Sequence, residues 1–106
     1  MPYELTPDAE RDLREIARYT LRQWGARQQR RYASLLEAGV RTIAQRRIVP
    51  RPFSPHYPDV FVSRCGHHYI FYLHPAEQKP HILAVFHENM DFLARLAERL
   101  AERLAP

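Results

Sequence analysis

The spacing of apolar residues changes half-way along this chain, and that change restricts the fold more than any other feature of the sequence. Before Ile48 the apolar residues recur at the three- and four-residue steps of a helix. After Pro58 they come in dense β-branched and aromatic runs that are typical of strands. Between these limits stand Pro50, Pro52 and Pro55. Because this density of proline excludes a helix and disfavours a central strand, we predict an extended surface loop from Ile48 to Pro58.

The first half of the chain is predicted to form two antiparallel helices. Thr6 can cap the first helix, and Pro7 is tolerated at its first position because proline lacks the N–H that would be unpaired there. Gly25 ends this helix, and the next stripe follows almost at once, so the two helices must lie side by side as a hairpin. The residues assigned to the two stripes are Ala9, Leu13, Ile16, Ala17, Thr20 and Trp24 in the first helix, and Tyr32, Leu36, Val40 and Ile43 in the second.

The second half predicts three antiparallel strands followed by a helix. Residues 60–65 and 67–73 are joined by a tight turn at Gly66, and residues 81–87 follow after a polar turn. Asp91 can cap a last helix, whose leucine stripe continues towards the chain end. With a short strand at the start, the order is (β)ααβββα. This is an α+β fold in which the helix hairpin packs on an antiparallel sheet.

Length, charge and cysteine content narrow the class of protein. A chain of 106 residues supports one modest core, so we expect a single domain over residues 1–106. The net charge of +4 comes almost wholly from arginine, since Lys79 is the only lysine, and it favours nucleic acid or an acidic protein surface as partner. A GC-rich genome would also enrich arginine, so the charge alone names no partner. Without a recognisable signal peptide or membrane span, a cytoplasmic bacterial protein is the simplest interpretation.

Three stretches of the sequence resemble the ParE/RelE superfamily of toxins, in the same order along the chain. Residues 9–20 (AERDLREIARYT), with their continuation through residues 23–32, are similar to the first helix of ParE proteins. Residues 64–72 (RCGHHYIFY) resemble the core pattern R-x-G-x-(H/Y)-x-I-F-Y of the family, and residues 85–91 (VFHENMD) resemble its V-L-H-x-x-M-D ending. The likeness covers nearly the whole chain and favours the ParE branch.

This resemblance implies the toxin of a type II toxin–antitoxin pair, neutralised by a cognate antitoxin that orders a segment along it. ParE-like members inhibit DNA gyrase by binding it, which needs no catalytic residue, and this is the leading interpretation. RelE-like members instead cleave messenger RNA on the ribosome; for this alternative the catalytic candidates are Arg64, His67 and His87. A toxin that has lost its target but keeps its antitoxin is a third interpretation. The stoichiometry, including a higher-order toxin–antitoxin oligomer, is left open.

The residues themselves give the RNase alternative limited support. RNA cleavage needs acid–base and basic side chains that converge on one phosphate. Histidine is a residue type suited to proton transfer, so His87 could supply a proton, but a lone histidine at a strand end more often stabilises the following turn. The six histidines match no zinc spacing, and Cys65 stands alone, so neither a metal nor another cofactor is expected, and no disulfide is available.

The antitoxin-binding surface implied by the resemblance combines basic and apolar side chains. The residues assigned to it are Arg64, Tyr69, Arg95, Leu96 and Arg99. The arginines would face acidic residues of the antitoxin, while the other two would receive its apolar anchors. The helix hairpin lying across the sheet is expected to leave an arginine-rich groove that an acidic peptide can occupy.

Overall fold

Two helices and five strands make up residues 2–104, the part of the chain described by the computed structural model; for residues 103 and 104 this concerns the backbone alone. In chain order they are β1 (Glu4–Leu5), α1 (Pro7–Ala44), β2 (Pro52–Ser54), β3 (Tyr57–Cys65), β4 (His68–Leu73), β5 (His81–His87) and α2 (Phe92–Leu104). The α+β class is therefore as predicted. The last two residues, to which the predicted final helix extends, lie outside the described part.

The helix α1 folds back on itself at Gly25, whose φ of 88° and ψ of 174° are not helical. A straight helix of 38 residues would be about 57 Å long, whereas the longest axis of the molecule is 40 Å. In the first half of α1, Asp12 bonds to Val85, while in the second half Gly39 lies against Ile70. Val85 and Ile70 are direct neighbours on adjacent strands. The two halves therefore run antiparallel across one sheet, which confirms the predicted hairpin.

The sheet has the strand order β1-β5-β4-β3-β2 and is mixed, not purely antiparallel. The predicted meander of β3, β4 and β5 is antiparallel throughout. The added strand β1 runs parallel to β5, with Glu4 opposite His81 and Leu5 opposite Ile82. The antiparallel prediction is therefore wrong at this edge, because a strand of two residues carries no periodicity that could assign its partner.

The proline-rich segment is partly strand, which corrects the prediction of a loop throughout. The strand β2 pairs antiparallel with the start of β3, and the Val62 N–H donates to the Arg51 carbonyl at 3.0 Å. Its place at the end of the strand order explains how the prolines are tolerated. An edge strand needs hydrogen bonds on one side only, so the missing N–H of Pro52 can face away from the partner. Pro58 lies in β3 before its pairing with β4 begins at Val60.

Apolar residues cover both faces of the sheet, because alternate side chains of β4 and β5 point to opposite sides. The core under α1 consists of Ala9, Leu36, Val40, Ile43, Ile70, Tyr72, Ile82 and Val85. The core under α2 consists of Val60, Phe71, Leu83, Ala84, Phe86, Leu96 and Leu100. Neither helix, as far as residues 2–104 show, has the length and apolar character needed to cross a membrane.

Candidate functional site

A cleft of about 840 Å³ opens between the first half of α1 and the end of β5. We call it the hairpin cleft. Its wall carries two exposed aromatic side chains, Tyr19 and Trp24, and Trp24 is 70% exposed. The other residues that line it are Asp12, Glu15, Ile16, Thr20, Gln28, Tyr32, His67, His68, Val85, Phe86, His87, Glu88, Asn89 and Met90.

The lining of the hairpin cleft contains carboxylates and histidines but, among the described residues, no arginine. The hairpin cleft is therefore not the arginine-rich groove expected from the sequence, which stays a prediction. The reason is the side of the helix on which each residue in the first half of α1 lies. Asp12 and Glu15 lie on the side that borders the cleft, whereas Arg14 and Arg18 are exposed and lie away from the apolar stripe.

A histidine and a tyrosine join the second half of α1 to the turn between β3 and β4. The Tyr32 hydroxyl accepts a hydrogen bond from the His67 backbone N–H at 3.0 Å and contacts Nδ1 of His68. Burial of His68 lowers its pKa from 6.5 to about 4, and the nearby His87 and His67 rings act in the same direction. Nδ1 of the neutral His68 ring can therefore accept a hydrogen bond from the Tyr32 hydroxyl. The hydroxyl then acts both as a donor, to His68, and as an acceptor, from His67.

The structure brings the three candidate catalytic residues together, but it directs two of them at a carboxylate. The Glu88 side chain accepts hydrogen bonds from Arg64 at 3.3 Å and from His67 at 3.0 Å. The hydrogen bond from His67 and the Arg64 charge hold the pKa of Glu88 below its ordinary value. His87 stacks on His67 with 6.5 Å between ring centroids, and its Nδ1 accepts the Asn89 backbone N–H at 3.1 Å. His87 therefore stabilises the turn after β5.

The five residues predicted to bind the antitoxin separate into two groups. Arg64 and Tyr69 face each other across β3 and β4, with the guanidinium 5.7 Å from the ring centroid, and Arg95 is exposed on α2. In contrast, Leu96 is 0% exposed, and Arg99 is held by Asp12. The apolar outer face of the sheet requires the α2 stripe to cover it. Leu96 and Arg99 are therefore packing residues, which corrects their assignment to a surface.

Asp12, the buried residue that links α1, β5 and α2, was not among the predicted site residues. Its carboxylate accepts the Val85 backbone N–H at 2.9 Å and two guanidinium N–H groups of Arg99, each at 2.7 Å. This bonding raises the pKa of Arg99. The available signal was position: Asp12 lies three residues after Ala9 and four before Ile16, within the apolar stripe. A carboxylate there must be buried, and a buried carboxylate requires partners.

The described residues offer no support for metal or thiol chemistry. Within residues 2–104, no three histidine, cysteine or carboxylate side chains are arranged to share a metal ion. Burial raises the pKa of Cys65, and its Sγ donates to the Leu35 carbonyl at 3.4 Å. A thiol with a raised pKa is a poor nucleophile, so Cys65 contributes to the packing of α1 on β3.

Residues 3–92 match the family described as "ParE toxin of type II toxin-antitoxin system, parDE". The chain belongs to the ParE toxin family. A toxin ParE of Escherichia coli is 45% identical over 98 residues, which cover 92% of this chain and 95% of that protein. A solved chain of the chromosomal ParDE TA system from P. aeruginosa has a TM-score of 0.68 over 82% of this chain and 95% of its own, at 18% identity.

Membership of the ParE family confirms the resemblance noted in the sequence and the interpretation as a type II toxin. The structural likeness, at its low identity, confirms the fold alone. A toxin of such a system has a cognate antitoxin as its partner. These relatives support the ParE interpretation and not the RelE alternative.

Proposed function

We propose that this ParE-family toxin inhibits DNA gyrase by binding it and has no RNA-cleaving activity of its own. The observation that carries the proposal is the carboxylate of Glu88, which lies between Arg64 and His67. Both the scissile phosphate of RNA and its transition state are negatively charged, so a carboxylate there repels them and occupies the groups that would stabilise them. Family membership supplies the reason for choosing gyrase as the target, and this target would place the toxin in the cytoplasm.

A supercoiling assay with purified gyrase tests the target directly. We expect the wild-type toxin to inhibit supercoiling and its induction in cells to cause filamentation. His87→Ala should retain the inhibition, because His87 is assigned to a turn. Rapid translation arrest with cleaved messages, gyrase remaining active, would overturn the proposal. If neither gyrase nor translation is affected while the antitoxin still binds, the chain is a toxin that has lost its target, and the proposal also fails.

We further propose that the cognate antitoxin covers the hairpin cleft with an apolar segment. Three exposed apolar side chains, those of Tyr19, Trp24 and Met90, line this one cleft. A concentration of exposed apolar surface is typical of a protein-binding site. Acidic residues of the antitoxin would then reach Arg64 and Arg95, the predicted contacts that remain exposed.

A further inference from the structure

The arginines of the first half of α1 form an exposed stripe on the side of the helix away from the sheet. Arg11, Arg14, Arg18 and Arg22 follow one another at steps of three and four residues, so they share one side of the helix. All four are exposed, whereas the buried positions of this half, such as Ala9, face the sheet. The stripe rises about 16 Å along the helix, from the usual rise per residue.

The second half of α1 continues this basic surface beyond Gly25. Arg27, Arg30 and Arg31 are exposed, and they lie away from the buried stripe of Leu36 and Val40. We call the seven arginines of the two halves the hairpin arginine face. None of them lines the hairpin cleft, so the two surfaces are separate.

This face has almost no carboxylates to neutralise it. Only Arg11 has an acidic partner within the described residues, Asp8 at 3.3 Å; the other six arginines form no ion pair there. Residues 16–36 contain five arginines and no aspartate or glutamate, although the chain has 12 acidic residues. In α2, by contrast, Glu98 and Glu102 alternate with arginines. Codon bias enriches arginine everywhere but does not remove acidic residues from one stretch.

We propose that the hairpin arginine face binds the phosphate backbone of duplex DNA. Arginine is suited to this role, because its planar guanidinium donates two parallel hydrogen bonds to a phosphate. Duplex DNA carries roughly one negative charge per 1.7 Å of its axis, so a stripe of this length spans several phosphates. Proteins that bind single strands offer aromatic side chains on which the bases stack. Here Tyr19 and Trp24 line the hairpin cleft and not the hairpin arginine face, so duplex DNA fits this face better than a single strand. The inference goes beyond gyrase binding and is independent of it.

The test measures binding of the purified full-length toxin to a fluorescent duplex of about 30 base pairs, by anisotropy, as a function of salt. If about five arginines engage phosphates, affinity falls roughly five-hundredfold between about 50 and 200 mM salt. The variant Arg18→Gln/Arg22→Gln/Arg27→Gln should bind more weakly. The slope of its log affinity against log salt should be smaller in magnitude by about three. The matched control Arg47→Gln/Arg51→Gln/Lys79→Gln removes the same charge at exposed positions elsewhere and should keep the wild-type slope.

Three results would overturn the inference. They are no binding by the wild-type toxin at low salt, equal weakening in both triple variants, and tighter binding to the single strand than to the duplex. All six substituted residues are exposed, and circular dichroism checks that both variants retain the wild-type fold. The assay contains no gyrase, so its outcome does not depend on the target proposed above.

Discussion

Asp12 is the residue at which the polar contacts between α1, β5 and α2 converge. It is 8% exposed and bonds both to a backbone N–H of β5 and to the guanidinium of Arg99. The same guanidinium lies 4.6 Å from the centroid of the Phe86 ring and donates to the Leu83 carbonyl at 3.2 Å. Removal of the carboxylate therefore leaves the Val85 N–H without its partner, and it leaves the largely buried Arg99 cation with the more distant Asp8, at 4.0 Å, as its ion-pair partner.

We expect Asp12→Ala to lower the free energy of unfolding by about 3 kcal/mol, the usual cost of breaking a buried ion pair from one side. Urea denaturation measures this loss. Asp59→Ala, an exposed carboxylate on β3, is the control and should cost less than about 0.5 kcal/mol. An Asp12→Ala loss as small as that of the control would contradict the assignment.

His68 should make stability depend on pH between about 4 and 6.5. The unfolded chain takes up this proton as the pH falls through 6.5, whereas the folded chain resists it until about 4, so acidification over that interval favours unfolding. The contribution of the neutral His68 ring to the free energy of unfolding is complete above pH 6.5. Below that pH it declines by about 3 kcal/mol in total.

The check is to compare urea denaturation of the wild-type protein with that of His68→Gln at pH 7 and at pH 5. The variant should lose less stability over this range than the wild-type protein does. His56→Gln, which changes an exposed histidine before β3, should behave like the wild type. Equal pH dependence in all three proteins would show that His68 does not carry the effect.

At the scale of elements, the hairpin depends on the backbone of Gly25. Its φ of 88° with ψ near 174° lies in a region that only glycine adopts readily. A Cβ there would meet nothing within 4 Å, so the cost of a side chain comes from backbone strain and not from a clash.

We expect Gly25→Ala to lower the free energy of unfolding by about 2 kcal/mol, within the range for such strained backbone positions. Thermal or urea denaturation provides the measurement. The neighbouring Gln23→Ala, on an exposed helical position, should be neutral or slightly stabilising because alanine favours helix. If Gly25→Ala matched Gln23→Ala, the backbone at this position would have to be helical after all.

The elements with strong periodicity were predictable from the sequence, and the short ones were not. The stripe from Leu36 to Ile43 gives the second half of α1 one buried face, which predicts the hairpin. The dense apolar runs of β4 and β5 give these strands two buried faces, which predicts the meander. β1 and β2 have two and three residues, too few for a pattern, and their pairing is decided by tertiary packing.

The candidate site was less predictable, because periodicity gives the side of a helix on which a residue lies but not what that side meets. Asp12 therefore went unnoticed, although its carboxylate lies on the side of α1 that borders the hairpin cleft. Leu96 was assigned to a surface, although the leucine stripe of α2 already predicted that it would be buried.

For the whole molecule, the position of the only tryptophan gives a direct measure of occupancy at the hairpin cleft. Trp24 is largely exposed, so its fluorescence should shift to shorter wavelength when the antitoxin covers the cleft. We expect Trp24→Ala to weaken the binding of the antitoxin by at least about tenfold, the effect of a central aromatic contact. Calorimetry measures that affinity.

The control for Trp24→Ala is Val49→Ala, since Val49 is 90% exposed and does not line the cleft. Its affinity for the antitoxin should equal that of the wild type. An unshifted tryptophan spectrum in a complex of full affinity would place the antitoxin elsewhere on the toxin.

The edge of β5 is covered by side chains where β1 ends. β1 pairs with only His81 and Ile82, and beyond them the carbonyl of Leu83 and the N–H of Val85 are bonded by side chains instead of a neighbouring strand. A bare strand edge is a template on which a second copy can add its own strand. Asp12 and Arg99 therefore occupy two of the backbone groups to which an added strand would bond. We expect loss of that pair to free these two groups, so that a strand of another molecule can bond to the edge of β5.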